Sequence, residues 1–305
     1  MKNILIFYGS YGGGHLSAAK SIKECLEENY DDIKVEMYDC IEYINKFLNK
    51  VTTKAYANMA KKAPRMWKGV YTSSQNGILS KISNTANKLM ANKLGKLILN
   101  IKPDLIISTH PFSSQMCAIL RQKNKINCKI ATVMTDYAPH NQWLINNGYI
   151  DYFFVAHKGM KDELIKKNIP EFKIYDTGIP LSNRFLKDFN KNKILEEFNL
   201  LPNKTTVLFF AGGKFGLGQH RTCEILETLI DLFPNMQIVA ISGKNLKMKE
   251  DFERIVNLKK AENSVKVLDY TNKIPELMSI SNFVITKPGR SYNNRESCFS
   301  VYLLL

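Results

Sequence analysis

Three short stretches carry side chains able to move a proton or hold an anion. Gly9-Ser10-Tyr11-Gly12-Gly13-Gly14-His15 follows an apolar run and leads into a helical pattern. Such a loop turns backbone N–H groups and a helix N-terminus toward an anionic or polar ligand. It lacks the Lys-Ser/Thr pair of a phosphate-binding P-loop, and its glycine spacing departs from G-x-G-x-x-G, so by itself it is a first turn that many α/β folds share. His15 at its end can transfer a proton near neutral pH, or it can simply cap or pack. Ser108-Thr109-His110-Pro111 and Thr135-Asp136-Tyr137-Ala138-Pro139-His140 each follow an apolar run. Asp136, a carboxylate at a strand end with His140 and Trp143 close by, is the strongest general-base candidate. The competing reading is a turn or N-cap aspartate. Convergence of three polar loops on one edge favours the base.

Such convergence needs elements that deliver each loop to the same edge. Runs at Ile4–Tyr8, Ile33–Tyr38, Asp104–Ser108, Lys129–Thr135 and Tyr152–Ala156 read as strands. Leu16–Glu28, Ser113–Lys123 and Lys158–Lys167 read as helices, the first with Ala18, Ala19, Ile22 and Leu26 on one side. Residues 41–100 read as mainly helical, broken near Pro64 and around Gly69–Gly77. A second series begins with strand Thr206–Ala211, which runs into Gly212-Gly213. Helix Gln219–Leu232, strand Gln237–Ile241 ending in Ser242-Gly243, helix Asn245–Asn257, strand Val265–Asp269, helix Ile274–Ser281 and strand Phe283–Thr286 follow. Between the series, Thr177–Asn203 holds Pro180 and Pro202 and shows no clear strand period. Repeated βα units predict an α/β protein with doubly wound parallel sheets, divided near Pro202 into domains 1–201 and 202–289. Two facing Rossmann-like domains would place a ligand cleft at the carboxyl ends of both strand sets.

Composition narrows the class. With 45% hydrophobic and 23% charged residues the chain can bury real cores. No stretch approaches the roughly 18 continuous apolar residues of a spanning helix, and the N-terminus reads as a first strand, not a signal peptide. The six cysteines form no CxxC pair and read as reduced thiols, without a zinc site or disulfide framework. The net charge of +15 is uneven: Tyr43–Pro103 holds twelve basic residues, among them Lys61, Lys62 and Arg65, and no acidic one, which leaves +3 for the rest. Tyr43, Phe47, Leu48, Tyr56, Met59, Met66, Trp67 and Tyr71 interleave with them. That pattern suits a helix lying on anionic lipid; a lysine-rich solvated face is the plainer alternative. Nucleic acid is disfavoured, because no helix-turn-helix, zinc or RNP-type signature accompanies the charge.

Strand–Gly12-Gly13-Gly14-His15–helix, then Ser108–Phe112, Thr135–Trp143, Asp176–Phe185, Ser242–Asn245 and Ile285–Gly289, in this order, resemble the monogalactosyldiacylglycerol synthase and processive diacylglycerol glucosyltransferase family. The chain is similar, more distantly, to the enzyme that adds N-acetylglucosamine to the lipid-linked cell-wall precursor. The resemblance implies a GT-B fold, with the lipid acceptor in the N-terminal domain and the UDP-sugar mainly in the C-terminal one. It implies transfer of a hexose from UDP-glucose or UDP-galactose to diacylglycerol, inversion at the anomeric carbon, and no essential metal or other cofactor. The family's loop histidine falls on His15 and its Thr-Asp aspartate on Asp136. We assign Asp136 as base, with His15 orienting the acceptor or binding an anionic headgroup. Gly13, Gly14, His110, His140 and Trp143 fall to the acceptor side, with Lys61, Lys62, Arg65 and Trp67 at the lipid surface. Gly212, Gly213, Ser242, Gly243, Tyr270 and Gly289 would hold the donor. The expected location is peripheral, on the cytoplasmic face of the cell membrane.

The family pattern breaks after Lys287-Pro288-Gly289, where a second glycine and a threonine-rich helix start are expected but Arg290-Ser291-Tyr292-Asn293-Asn294-Arg295 stands. One synonymous coding of this stretch, read one base later, yields Gly-Leu-Thr-Thr-Thr-Glu-Ser-Leu-Ala-Ser, the family motif. An inserted base near codon 289 is therefore expected, leaving residues 290–305 out of frame, the second domain incomplete and this form of the chain inactive. Two other readings stand beside the leading one: a related transferase acting on a polyprenyl-linked acceptor, and a non-catalytic lipid-surface protein.

Overall fold

The computed structural model describes residues 1–9, 13–44, 91–211 and 218–286, with the backbone of 302–304. Expectations for Ser10, Tyr11 and Gly12, for most of the basic segment including Lys61, Lys62, Arg65 and Trp67, for Gly212, Gly213 and Gly289, and for most of the 290–305 tail lie outside these residues.

The first unit is built on a six-stranded, fully parallel sheet. Its elements are β1 (Lys2–Tyr8), α1 (Gly14–Asn29), β2 (Ile33–Asp39), α2 (Cys40–Ile44), a helix α3 ending at residue 101, β3 (Leu105–Ser108), α4 (Pro111–Gln122), β4 (Lys129–Val133), β5 (Tyr152–Val155), α5 (Lys158–Lys166) and β6 (Ile174–Asp176). The strand order β2-β1-β3-β4-β5-β6 reverses direction at β1, so the loops after β1 and β3 part there. That switch point is where an open parallel sheet receives a ligand. β1 is apolar throughout because both its faces are covered: Leu5 and Phe7 pack toward α3 and α4, while Ile4 and Ile6 pack with Ala19 of α1. Each fully buried Leu or Ile contributes about 1.5–3 kcal/mol.

Asp151, just before β5, locks one end of this sheet. Its carboxylate accepts from the Ile130 backbone N–H (2.9 Å), from Lys129 Nζ (3.2 Å) and from the Arg121 guanidinium of α4. Burial pushes its carboxyl up, but the Ile130 N–H, Lys129 and Arg121 outweigh that and hold it below the usual carboxylate range. Asp151→Asn is expected to cost about 2 kcal/mol of stability at neutral pH. A carboxyl whose folded value lies below its unfolded one of about 3.9 stabilises above that range and loses the effect as pH falls through the folded value. Melting curves of wild type and variant should therefore converge below about pH 4.

The second unit carries the parallel order β11-β10-β7-β8-β9. In chain order it comprises α6 (Lys191–Glu197), β7 (Thr206–Phe210), α7 (Gln219–Leu232), β8 (Gln237–Ile241), α8 (Leu246–Leu258), β9 (Val265–Leu268), α9 (Ile274–Ile280), β10 (Phe283–Ile285) and β11 (Tyr302–Leu304). Val207 and Phe209 enter one core, Leu208 and Phe210 the other.

The structure differs from the sequence reading in two respects. The units divide between Asn183 and Arg184, not near Pro202. The reason is that Phe185 and Leu200 are buried with Leu208 and Leu277, and the buried Gln237 side chain bridges Leu201 N and O (2.9 and 2.8 Å) to Thr206 Oγ1 (2.8 Å). β6 and α6 fall in stretches given no element; at three and seven residues they are too short for a periodicity reading. Within the tail, the backbone of Tyr302–Leu304 aligns parallel to β10.

Candidate active site

Side chains from the ends of β1, β3 and β4 meet at one edge of the first sheet. His15, the second residue of α1, is 8% exposed. Its Nδ1 lies 2.6 Å from the Thr109 carbonyl oxygen, which can only accept. That contact assigns the proton of the neutral ring to Nδ1 and leaves Nε2 as the basic nitrogen. Thr135 Oγ1 stands 3.0 Å from the same Nδ1, and Thr109 Oγ1 donates to the His15 carbonyl at 2.9 Å. Two threonines that follow two strands thus hold this histidine by ring and backbone.

His110 and His140 are set the opposite way. Each caps a helical turn through Nδ1, accepting from Phe112 N–H at 3.2 Å and Gln142 N–H at 3.3 Å respectively. Their neutral rings therefore carry the proton on Nε2. The His110 ring meets His15 edge-on at 4.6 Å. A β-carbon on Gly9 would come within 2.9 Å of His110 Cδ2, so the loop needs glycine there to admit the imidazole.

Asp136 is 2% exposed, and its Oδ2 accepts the Trp143 indole N–H at 2.6 Å. His140 Nε2 lies 3.8 Å from the same oxygen, within ion-pair range but beyond hydrogen-bond distance. Trp143 is itself 1% exposed and 6.4 Å, centroid to centroid, from His15. Trp143 is thus a buried donor to the carboxylate. Gly13 stands at the N-cap of α1 and Gly14 opens the helix; a β-carbon on Gly13 would meet nothing within 4 Å.

Two participants carry no motif signal. His157, just after β5, places Nε2 2.9 Å from the Tyr137 carbonyl and stacks on the Tyr137 ring, steadying the Asp136 loop. Its position after an apolar strand was the available clue. Gln115 of α4 reaches the turn that holds Trp143.

In the second unit the corresponding edge holds Ser242, Gly243 and Tyr270. Ser242 is 1% exposed, and its hydroxyl donates to the Leu268 carbonyl at 3.2 Å. Gly243 has φ +63, a left-handed turn that glycine takes without strain, and Asn245 Oδ1 caps α8 through Met248 N–H at 3.3 Å. Tyr270 is exposed, with Lys244 Nζ 5.0 Å from its ring centroid. Among the described residues no group of three or more His, Cys, Asp or Glu could hold a metal ion, and no helix is long and apolar enough to cross a membrane.

Comparison with known proteins places this geometry. The family model described as monogalactosyldiacylglycerol (MGDG) synthase matches residues 15–181, the span that holds His15, His110, Asp136, His140 and Trp143. The chain is similar to the processive diacylglycerol beta-glucosyltransferase of Staphylococcus epidermidis, 35% identical over 290 residues, 94% of this chain and 71% of that protein. The protein of the same description from Staphylococcus aureus is likewise 35% identical over 290 residues, again 94% and 71%. Among solved structures, UDP-GlcNAc 2-epimerase from Neisseria meningitidis bound to UDP-GlcNAc matches with a TM-score of 0.62 at 13% identity, over 100% of this chain and 82% of that one. The fold is the two-unit, Rossmann-like GT-B architecture.

Proposed function

The chain belongs to the monogalactosyldiacylglycerol synthase family of glycolipid glycosyltransferases, and on that premise we propose that it moves a hexose from a UDP-sugar to the free hydroxyl of diacylglycerol, with inversion and with Asp136 as general base. The observation that carries this reading is the Asp136 carboxylate, buried at the end of β4 and oriented by Trp143, with His15 held beside it through Thr135.

As the acceptor oxygen attacks the anomeric carbon, its proton passes to Asp136. UDP departs from the opposite face, so configuration inverts. The beta-glucosyl product in the relatives' names fits inversion of an α-linked nucleotide sugar. His15, through its basic Nε2, accepts a hydrogen bond from the acceptor or meets an anionic headgroup. The leaving diphosphate is met by backbone N–H groups and cations at the carboxyl edge of the second sheet, around Ser242, Gly243, Tyr270 and the capped start of α8. This scheme needs no resident metal, so chelators should leave turnover unchanged. A version with one base removed near codon 289, given UDP-glucose or UDP-galactose and diacylglycerol vesicles, should yield a hexosyl-diacylglycerol by mass spectrometry, and the 305-residue form should not; comparable transfer by the 305-residue form would overturn the frameshift reading. Hydrolysis of the UDP-sugar without glycolipid would overturn the acceptor assignment.

We place the protein peripherally on the cytoplasmic face, held by the acid-free basic segment. Each basic residue near an anionic surface contributes on the order of 1 kcal/mol, screened within a Debye length. Charge reversal at Lys61, Lys62 and Arg65 should release the protein from anionic vesicles and leave its weak binding to neutral ones unchanged. Equal binding of the wild type to both vesicle types would reduce the segment to a solvated face.

A further inference from the structure

A residue that no motif marks stands behind the candidate base. Gln115 lies on the inner face of α4, 1% exposed, in a run from Ser113 to Leu120 that is buried throughout. Its Nε2 donates to the Gln142 carbonyl at 2.6 Å and to Gln142 Oε1 at 3.1 Å. Gln142 is the middle residue of the 3-10 turn Asn141–Trp143, which His140 caps and which Trp143 closes by donating its backbone N–H to the His140 carbonyl at 3.0 Å. From that turn the Trp143 indole reaches Asp136. Packing alone does not require an amide here, because methionine would fill the same volume, and a buried amide is desolvated at a cost that only its hydrogen bonds recover. The two bonds named here both go to one turn.

We propose that Gln115 is a positioning residue for the transfer reaction: by holding the Gln142 carbonyl it fixes the Asn141–Trp143 turn, and through the Trp143 indole N–H it fixes the plane of the Asp136 carboxylate. The proposal rests on the reading of Asp136 as the base. A general base must lie within hydrogen-bond reach of the proton it takes. A displacement of about 1 Å can cost about a hundredfold in rate, so a constraint two contacts away matters.

The sequence holds two tryptophans, Trp67 and Trp143, so a 1H–15N spectrum of the 305-residue chain has two indole N–H signals. The one that moves in Asp136→Asn belongs to Trp143. Gln115→Met is expected to shift that signal upfield and, in the frame-restored protein, to lower kcat about 10- to 100-fold with the KM for UDP-sugar unchanged. In a Trp143→Phe background it should add less than about twofold, because both act through one contact. Should Gln115→Met fail to fold, Gln115→Glu keeps the shape and replaces the donating amide. An unmoved indole signal overturns the proposal, as does a loss that multiplies with Trp143→Phe. If the frame-restored protein transfers no hexose, the functional reading fails while the indole signals still decide the positioning claim.

Discussion

In the frame-restored protein, Asp136→Asn is expected to lower hexose transfer by about a thousandfold, inside the 10²–10⁴ range that general acid–base catalysis supplies, while UDP binding stays as in the unsubstituted protein. Asparagine has the shape of aspartate, so the comparison isolates the loss of a proton acceptor. The indole N–H of Trp143 points at the Oδ2 position from 2.6 Å. It will select the amide rotamer that turns oxygen toward it, leaving an NH2 where the second carboxylate oxygen was. An NH2 cannot take the acceptor's proton. Because the Trp143 contact survives, stability should fall by no more than about 1–2 kcal/mol. Turnover, UDP titration and a thermal melt on the same preparation give the answer. Wild-type turnover in the asparagine variant would remove Asp136 from the base role, and lost UDP binding would mark it as structural.

The next largest effect belongs to His15, where two substitutions separate orientation from chemistry. His15→Ala removes the N–H that satisfies the buried Thr109 carbonyl and the partner of the Thr135 hydroxyl. Leaving such groups unsatisfied costs about 1–3 kcal/mol, and transfer should fall about a hundredfold or more. His15→Asn places an amide N–H close to where Nδ1 stands and can restore the bond to Thr109, but it has nothing in place of Nε2. Stability should therefore return toward the wild-type value in the asparagine variant while turnover stays low. If turnover returns with stability, the second nitrogen is idle and His15 serves only to hold the loop.

Much of the fold was legible from residue pattern. A strand buried on both faces must be apolar at every position, so Ile4–Phe7 and Val207–Phe210 announced themselves, as did the amphipathic helices between such runs. In a parallel sheet every strand sends its next loop to the same edge, so polar residues after apolar runs had to share that edge. That logic placed His15, His110 and Asp136 together before any coordinates. It could not detect three-residue β6 or seven-residue α6, which leave too little period to read. Nor could it set the unit boundary, because Phe185 and Leu200 join the second core by packing, not by local pattern.

The chain's residue types and their order along it determined the α/β class, the doubly wound series and the identity of the chemistry-bearing side chains. Tertiary structure alone decided what state those side chains are in. His15 takes its tautomer from Thr109 and Thr135, 94 and 120 residues away, and Gln115 meets Gln142 across 27. Trp143, which the resemblance assigned to the acceptor side, is buried and donates to Asp136. Such pairings are hydrogen bonds between groups that only folding brings within 3 Å, where loss of water forces each buried donor to find an acceptor. Local sequence carries no record of which partner that will be.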